Sequence, residues 1–134
     1  MARPRSHHPT DTELEILQVL WRTGPASLGT VHEELRRRRD VAKTTVATML
    51  RLMLDKRLVR RAEGPRGYRW SAAVTRRKTA AEMVGKLIAG VFDGSAQRMV
   101  AHLVETGDIT EEDLDEMRRM VRKQRKTGSR KKNQ

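Results

Sequence analysis

The chain has 134 residues, and its 29 Lys and Arg against 17 Asp and Glu give a formal net charge of +12. Such a charge favours a polyanionic partner, either nucleic acid or an anionic membrane surface. No apolar run approaches the ~20 residues of a membrane span, and the first ten residues lack the apolar core of a signal peptide. We therefore expect a cytoplasmic protein without membrane insertion. The absence of cysteine excludes disulfides and thiolate metal sites.

A short tail and a first helix open the chain. Residues 1–9 carry two prolines among scattered cations, which predicts disorder. Thr10 and Glu13 form a capping-box pattern, so we expect a helix over residues 11–22 that ends at a Gly-Pro pair. The side chains predicted to face a core recur at helical spacing and are Leu14, Leu17, Leu20 and Trp21.

Two further helices are predicted next. Ser27 can cap a helix over residues 28–38, and a third helix should span residues 43–56. The buried positions predicted in these helices are Val31, Leu35, Val46, Met49, Leu50, Met53 and Leu54. The opposite side of the third helix carries Lys43, Thr44, Ala47, Thr48 and Arg51. Hydroxyls and cations on one helix face can donate hydrogen bonds to base edges and phosphates, which favours a DNA-binding face over an ordinary solvated one.

The third helix is followed at once by a pattern typical of a β-hairpin. Residues 59–62 and 68–71 predict two short strands, and residues 64–67 read Gly-Pro-Arg-Gly, a tight turn. Three helices and a basic hairpin within residues 10–74 predict a winged helix-turn-helix DNA-binding domain. The predicted fold class is therefore mainly α with a small β wing, followed by a helical dimerisation domain.

This fold assigns a role to each polar side chain near the third helix. Lys43 should stand where the helix N-terminus meets phosphates, and Arg51 should hold the DNA backbone. The threonines are placed to reach base edges or nearby phosphates, and the hairpin arginines to reach flanking phosphates or the minor groove. Tyr68 and Trp70 are expected to pack the hairpin against the core. The complete predicted DNA-binding set is Lys43, Thr44, Thr45, Thr48, Arg51, Arg66 and Arg69.

Charge divides the chain into three blocks. Residues 1–78 hold 18 Lys and Arg against 8 Asp and Glu, residues 79–121 hold 4 against 9, and residues 122–134 hold 7 against none. The acidic middle block is not expected to touch DNA. We therefore predict a helical dimerisation domain over residues 75–122 and a basic disordered tail over residues 123–134.

The second domain should consist of three helices, over residues 75–90, 95–106 and 110–121. They hold too little apolar mass to fold as a separate monomer, and the same helices of a second chain could cover their apolar stripes. The alternative is that they fold back on the winged helix of their own chain. We favour the homodimer. The positions expected in its interface are Met83, Leu87, Met99, Val100, Leu103, Leu114, Met117 and Val121.

Motifs in all parts of the chain, in their order and spacing, resemble those of one family. Residues 41–50 look like its recognition helix. The other matching segments are residues 13–17 and 20–21 in the first helix, 31–35 in the second, 67–71 in the wing, and 92–95 with 109–114 in the dimerisation region. Together they are similar to the penicillinase-repressor family, of the BlaI/MecI/CopY type. The resemblance implies a homodimeric transcriptional repressor that binds palindromic operators and leaves when a signal arrives.

Three departures from the family pattern carry expectations of their own. Arg57 stands where the family often has a glycine, so the third helix should end without a left-handed cap. The cysteine-rich tail of copper-sensing members has no counterpart, which argues against copper sensing. Antibiotic-responsive members are cut at an Asn-Phe bond, and His102-Leu103 stands there instead. We therefore expect little or no cleavage, and release either by an unidentified inducer or partner that changes dimer geometry or by loss of the protein itself.

Catalytic chemistry finds no support in the sequence. The four histidines share no spacing, no glycine-rich phosphate loop follows a strand, and the carboxylates of residues 111–116 complement a helix dipole. We expect no enzyme activity, no cofactor and no metal. The predicted function is sequence-specific repression on double-stranded DNA. The alternatives are a non-specific architectural nucleic-acid-binding protein and an adaptor whose winged helix docks another protein.

Overall fold

A computed structural model of the chain describes residues 9–132. Within that range the elements are α1 Asp11–Thr23, α2 Leu28–Arg36, α3 Lys43–Asp55, β1 Val59–Gly64, β2 Gly67–Ala72, α4 Arg76–Val91, α5 Ala96–Glu105 and α6 Glu111–Lys132. β1 and β2 pair as an antiparallel hairpin. This is a winged helix followed by three further helices, so the predicted fold class, mainly α with a small β wing, is confirmed. No helix within residues 9–132 is both long and apolar enough to cross a membrane.

The first three helices and the hairpin surround one hydrophobic core. Its largest fully buried side chains are Ile16, Leu17, Leu35, Leu50, Met53, Val31, Val46 and Val59. The core positions predicted in α2 and at the centre of α3 are confirmed, and Met49 and Leu54 lie at the edge of the core. One side of α3 therefore packs in the core, and its other side is exposed to solvent.

α1 buries a different arc from the one its sequence pattern predicts. Its buried side chains are Glu13, Ile16, Leu17, Val19 and Leu20. Leu14 and Trp21, which were expected in the core, are only half-buried. The reason is that α1 packs against both α2 and β2, so more than one stripe of the helix faces the interior. The indole N–H of Trp21 donates to the carbonyl oxygen of Val74 at 2.9 Å.

A buried ion pair joins the start of α1 to the end of α3. The predicted capping box is present, because Thr10 Oγ1 accepts from the Glu13 N–H and the Thr10 N–H donates to the Glu13 carboxylate. Lys56 Nζ lies 3.2 and 3.0 Å from the two carboxylate oxygens of Glu13. Burial alone raises the pKa of Glu13, but the hydrogen bonds from Thr10 and the charge of Lys56 outweigh it, and the pKa is lowered.

α3 ends in a left-handed cap that is formed by an arginine. Arg57 has a φ of 64°. The Leu58 N–H donates to the Met53 carbonyl oxygen at 2.9 Å and the Arg57 N–H to that of Leu54 at 3.0 Å, the two bonds of a Schellman motif. The expectation that Arg57 caps differently is therefore wrong. Met53 and Leu58 are both buried, and their burial holds the arginine in a conformation that glycine adopts more readily.

The division of the chain and its two ends differ from the prediction. The boundary between the two compact units of the chain falls between Gly85 and Lys86, inside α4, and not at the predicted residue 74. α6 continues to Lys132, whereas the sequence predicts disorder over residues 123–134. Residues 122–126, which follow Val121, are all strong helix formers. At the other end Pro9 is buried, and the rest of the predicted tail, residues 1–8, lies outside the described residues, as do residues 133–134.

Candidate nucleic-acid interface

The outward face of α3 presents all of the polar side chains predicted there. The exposed residues of this face are Lys43, Thr44, Thr45, Thr48 and Arg51. Thr48 Oγ1 donates to the Thr44 carbonyl oxygen at 3.0 Å. Since that bond uses its proton, the Thr48 hydroxyl meets an incoming base as an acceptor, a partner for the exocyclic amine of adenine or cytosine.

The first turn of α3 is left without a side-chain cap. Its N-cap residue is Ala42, which makes no side-chain hydrogen bond to the helix. Backbone N–H groups at an uncapped helix start attract anions, and Lys43 adds a full positive charge at the same place. The structure thus combines charge and dipole where the sequence predicts a phosphate contact.

A groove of about 640 Å³ runs between α3 and the hairpin; we call it the α3–wing groove. Its lining residues are Ser27, Leu28, Gly29, Lys43, Ala47, Arg51, Arg61, Arg66, Tyr68 and Trp70. Four of these are cations, two from α3 and two from the hairpin, and none is acidic. Four cations that converge on one groove create a positive potential suited to a polyanion.

Arg61 belongs to this groove, although the sequence reasoning did not select it. The hairpin register pairs Arg61 with Trp70, which places its side chain on the face that carries Tyr68. The guanidinium carbon of Arg61 lies 4.1 Å from the ring centroid of Tyr68 and 5.6 Å from that of Trp70. Stacking on aromatic rings holds the cation in place. Counting strand pairs back from the turn at residues 64–67 would have revealed this neighbour.

The two predicted wing arginines occupy different positions. Arg66, at the turn, lines the α3–wing groove and also a second cleft of about 550 Å³ beside the α1–α2 loop. Arg69 lies on the other face of β2, and its Nη2 donates to the Pro25 carbonyl oxygen at 2.9 Å. Arg69 therefore ties the hairpin to the loop, which leaves it fewer free donors for DNA.

The two aromatic side chains of the hairpin differ in burial. Trp70 is buried, and its backbone exchanges two hydrogen bonds with Ala26, of 2.9 and 2.7 Å. Tyr68 is 46% exposed. The expectation that both pack against the core is correct for Trp70 and wrong for Tyr68, because Tyr68 stands two strand pairs nearer the turn, where it supports Arg61 instead.

None of the predicted dimerisation residues is fully buried in the single chain. Leu87, Leu114 and Val121 are exposed. The half-buried members are Met83, Met99, Val100, Leu103 and Met117. The same helices expose further apolar side chains that were not in the predicted set, namely Val84, Val91, Val104 and Met120. Exposed large apolar side chains in this number are typical of an interface.

The winged helix and its cationic groove define a DNA-binding protein of the kind that regulates transcription. Residues 9–123 match the penicillinase repressor family, and the chain belongs to that family, whose members are transcriptional regulators and not enzymes.

Relatives with curated names agree with this assignment. The chain is 34% identical over 113 residues to the transcriptional regulator BlaI of Mycobacterium tuberculosis, covering 83% of this chain and 80% of that protein. It is 20% identical over 119 residues to the methicillin resistance regulatory protein MecI of Mammaliicoccus sciuri, covering 89% and 97%. A solution structure of Bacillus licheniformis BlaI, in monomeric form with the blaP half-operator, is 22% identical, with 55% and 85% coverage and a TM-score of 0.46.

Proposed function

We propose that this protein represses transcription as a homodimer that binds a palindromic operator, each subunit placing α3 in the major groove. The observation that carries the proposal is the α3–wing groove, where four cations converge beside the exposed threonines of α3. Cations neutralise phosphates whatever the sequence, whereas hydroxyls can distinguish base edges. A surface that combines both types of group is suited to sequence-specific binding.

We divide the proposed DNA contacts into those that hold the phosphate backbone and those that read the base sequence. We assign Lys43, Arg51, Arg61 and Arg66 to phosphates, because all four line one groove whose lining includes no acidic residue. The threonines of α3 are assigned to base edges or adjacent phosphates. We assign Arg69 to positioning of the wing through its hydrogen bond to the α1–α2 loop, with a weaker direct contribution to affinity.

The proposed homodimer rests on the apolar side chains of the last three helices. α5 buries none of its residues, and seven large apolar side chains between Val84 and Val121 are at least 39% exposed. A second copy supplies a surface of the same composition, and a two-fold dimer presents two α3 helices to two related half-sites. Two half-sites related in this way form a palindrome.

We further propose that release does not proceed by cutting at His102-Leu103. This bond lies inside α5, and the His102 carbonyl oxygen accepts the N–H of Thr106 at 3.0 Å. A protease would have to open this turn of helix before it could bind the bond, which adds the cost of local unfolding. Mass spectrometry of the protein from antibiotic-treated cells should show the intact chain. A fragment that ends at His102 and appears on induction would refute this part of the proposal.

Competition binding tests the function itself. Genomic fragments selected by the purified protein should keep binding in excess unrelated duplex, because specific sites bind 10³–10⁷ times more tightly, in order of magnitude, than random DNA. Loss of all binding under competition would instead indicate an architectural protein. Binding that does not weaken with salt would indicate an adaptor, since phosphate contacts release counterions.

A further inference from the structure

We infer that the C-terminal half of α6 is a second DNA-binding surface, which holds the phosphate backbone without reading base sequence. We call it the α6 cationic face. Its members are Arg118, Arg119, Arg122, Lys123, Arg125 and Lys126, and all six are exposed. The match to the repressor family ends at residue 123, so this surface runs beyond the part of the chain that the family describes.

The cations are sorted to one side of the helix. At about 100° per residue, the six side chains fall within an arc of about 160°. The apolar residues on the opposite side are Leu114, Met117, Met120 and Val121. If that apolar side packs in the proposed dimer, the cationic face is directed away from the interface and into solvent.

The positive charge of this face has almost no counter-charge. Glu116, which pairs with Arg119, is the last acidic residue of the sequence. Within the side chains that the structure describes, the other five cations form no ion pair. Favourable interaction with the helix dipole explains cations only in the last turn, whereas these begin about four turns before Lys132. A polyanion accounts for the whole face.

Duplex DNA fits this face better than a lipid surface does. A membrane helix inserts its apolar side between lipids, which here is the side that the proposed dimer buries. DNA requires only the cations, and a rigid helix can place them along a run of phosphates. This second site does not depend on the winged helix.

The test compares two variants of the full chain with equal net charge. In the first, Arg122→Gln, Arg125→Gln and Lys126→Gln neutralise the α6 cationic face. The control carries Arg77→Gln, Lys78→Gln and Lys86→Gln, which remove three exposed cations from α4. Binding to a duplex of arbitrary sequence is measured by fluorescence anisotropy against salt. The slope of log affinity against log salt should fall by about 2–3 units in the α6 variant and by less than about 0.5 unit in the control.

The outcomes separate this inference from the proposed function. The α6 effect should persist when Arg66→Gln is added, because the two surfaces act independently, whereas its loss in that background would overturn the inference. Equal slopes for the α6 variant and the control would also overturn it. So would an unchanged DNA slope combined with lost binding to phosphatidylserine vesicles, which would assign the face to membranes. Circular dichroism and sedimentation confirm that both variants keep fold and assembly.

Discussion

The Glu13–Lys56 pair predicts a pH-dependent loss of stability when its cation is removed. Only 4% of the Glu13 side chain and 31% of the Lys56 side chain are exposed. Lys56→Met leaves a buried carboxylate whose remaining partner is the Thr10 N–H. Breaking a fully buried pair costs ~3–5 kcal/mol, and partial screening by water at Lys56 reduces this to about 2 kcal/mol at pH 7.

The sign of the pH dependence follows from the lowered pKa of Glu13. In the parent protein the ionised carboxyl stabilises the fold. This stabilisation is fully present above a pH of about 4.5, the ordinary pKa of the group, and it is lost as the pH falls through the lowered pKa of the folded state. In Lys56→Met the carboxyl loses the cation that lowers its pKa, so the pKa rises relative to the parent protein and protonation relieves the penalty at a higher pH. The difference in stability between the two proteins should therefore be largest near neutral pH and shrink below about pH 4.5.

Urea unfolding followed by circular dichroism measures this difference at pH 7, 5.5 and 4. Lys43→Met is the matched control, because its exposed cation has no carboxylate in the α3–wing groove, and it should change stability by less than about 0.5 kcal/mol. Glu13→Gln combined with Lys56→Met should recover much of the loss by removing both charges. A destabilisation by Lys56→Met that is independent of pH would refute the reasoning.

Three further predictions follow from the fold and the interface. Arg57→Gly should stabilise the protein by about 1 kcal/mol, since glycine adopts the left-handed cap without strain; a loss of stability in urea unfolding would contradict this. Arg66→Gln should weaken binding to all duplexes alike and flatten the salt slope by about one unit, whereas Thr48→Ala should lower discrimination by ~1 kcal/mol and leave non-specific binding intact; identical profiles would refute the division of contacts. Val121→Glu should shift sedimentation at micromolar concentration from dimer to monomer by placing a charge in the proposed interface, and a parent protein that sediments only as monomer would disprove the dimer.

The two faces of α3 could be predicted from the sequence because each follows a simple helical period. Val46 and Leu50 recur on the core side and Thr44 and Thr48 on the other, and the structure buries the first pair and exposes the second. The hairpin was equally clear from its glycine-flanked turn. The local sequence pattern is sufficient to predict which side chains are buried where an element packs on one side only.

The features that were missed depend on more than one element. Ile16 is buried because α1 meets both α2 and β2, which no single helical stripe reveals. Arg61 enters the groove through strand register, and Arg57 accepts a left-handed conformation because tertiary burial of Met53 and Leu58 favours it. Tertiary contacts override local preference in each case.

Footprinting of the purified protein on its selected genomic sites tests the central claim most directly. We expect two protected half-sites related by two-fold symmetry, with centres separated by about 10 bp or a multiple of it, and major-groove protection opposite each α3. Thr48→Ala should weaken protection at particular bases of both half-sites. A single unsymmetrical footprint, or uniform protection without sequence preference, would contradict a dimeric operator-binding repressor.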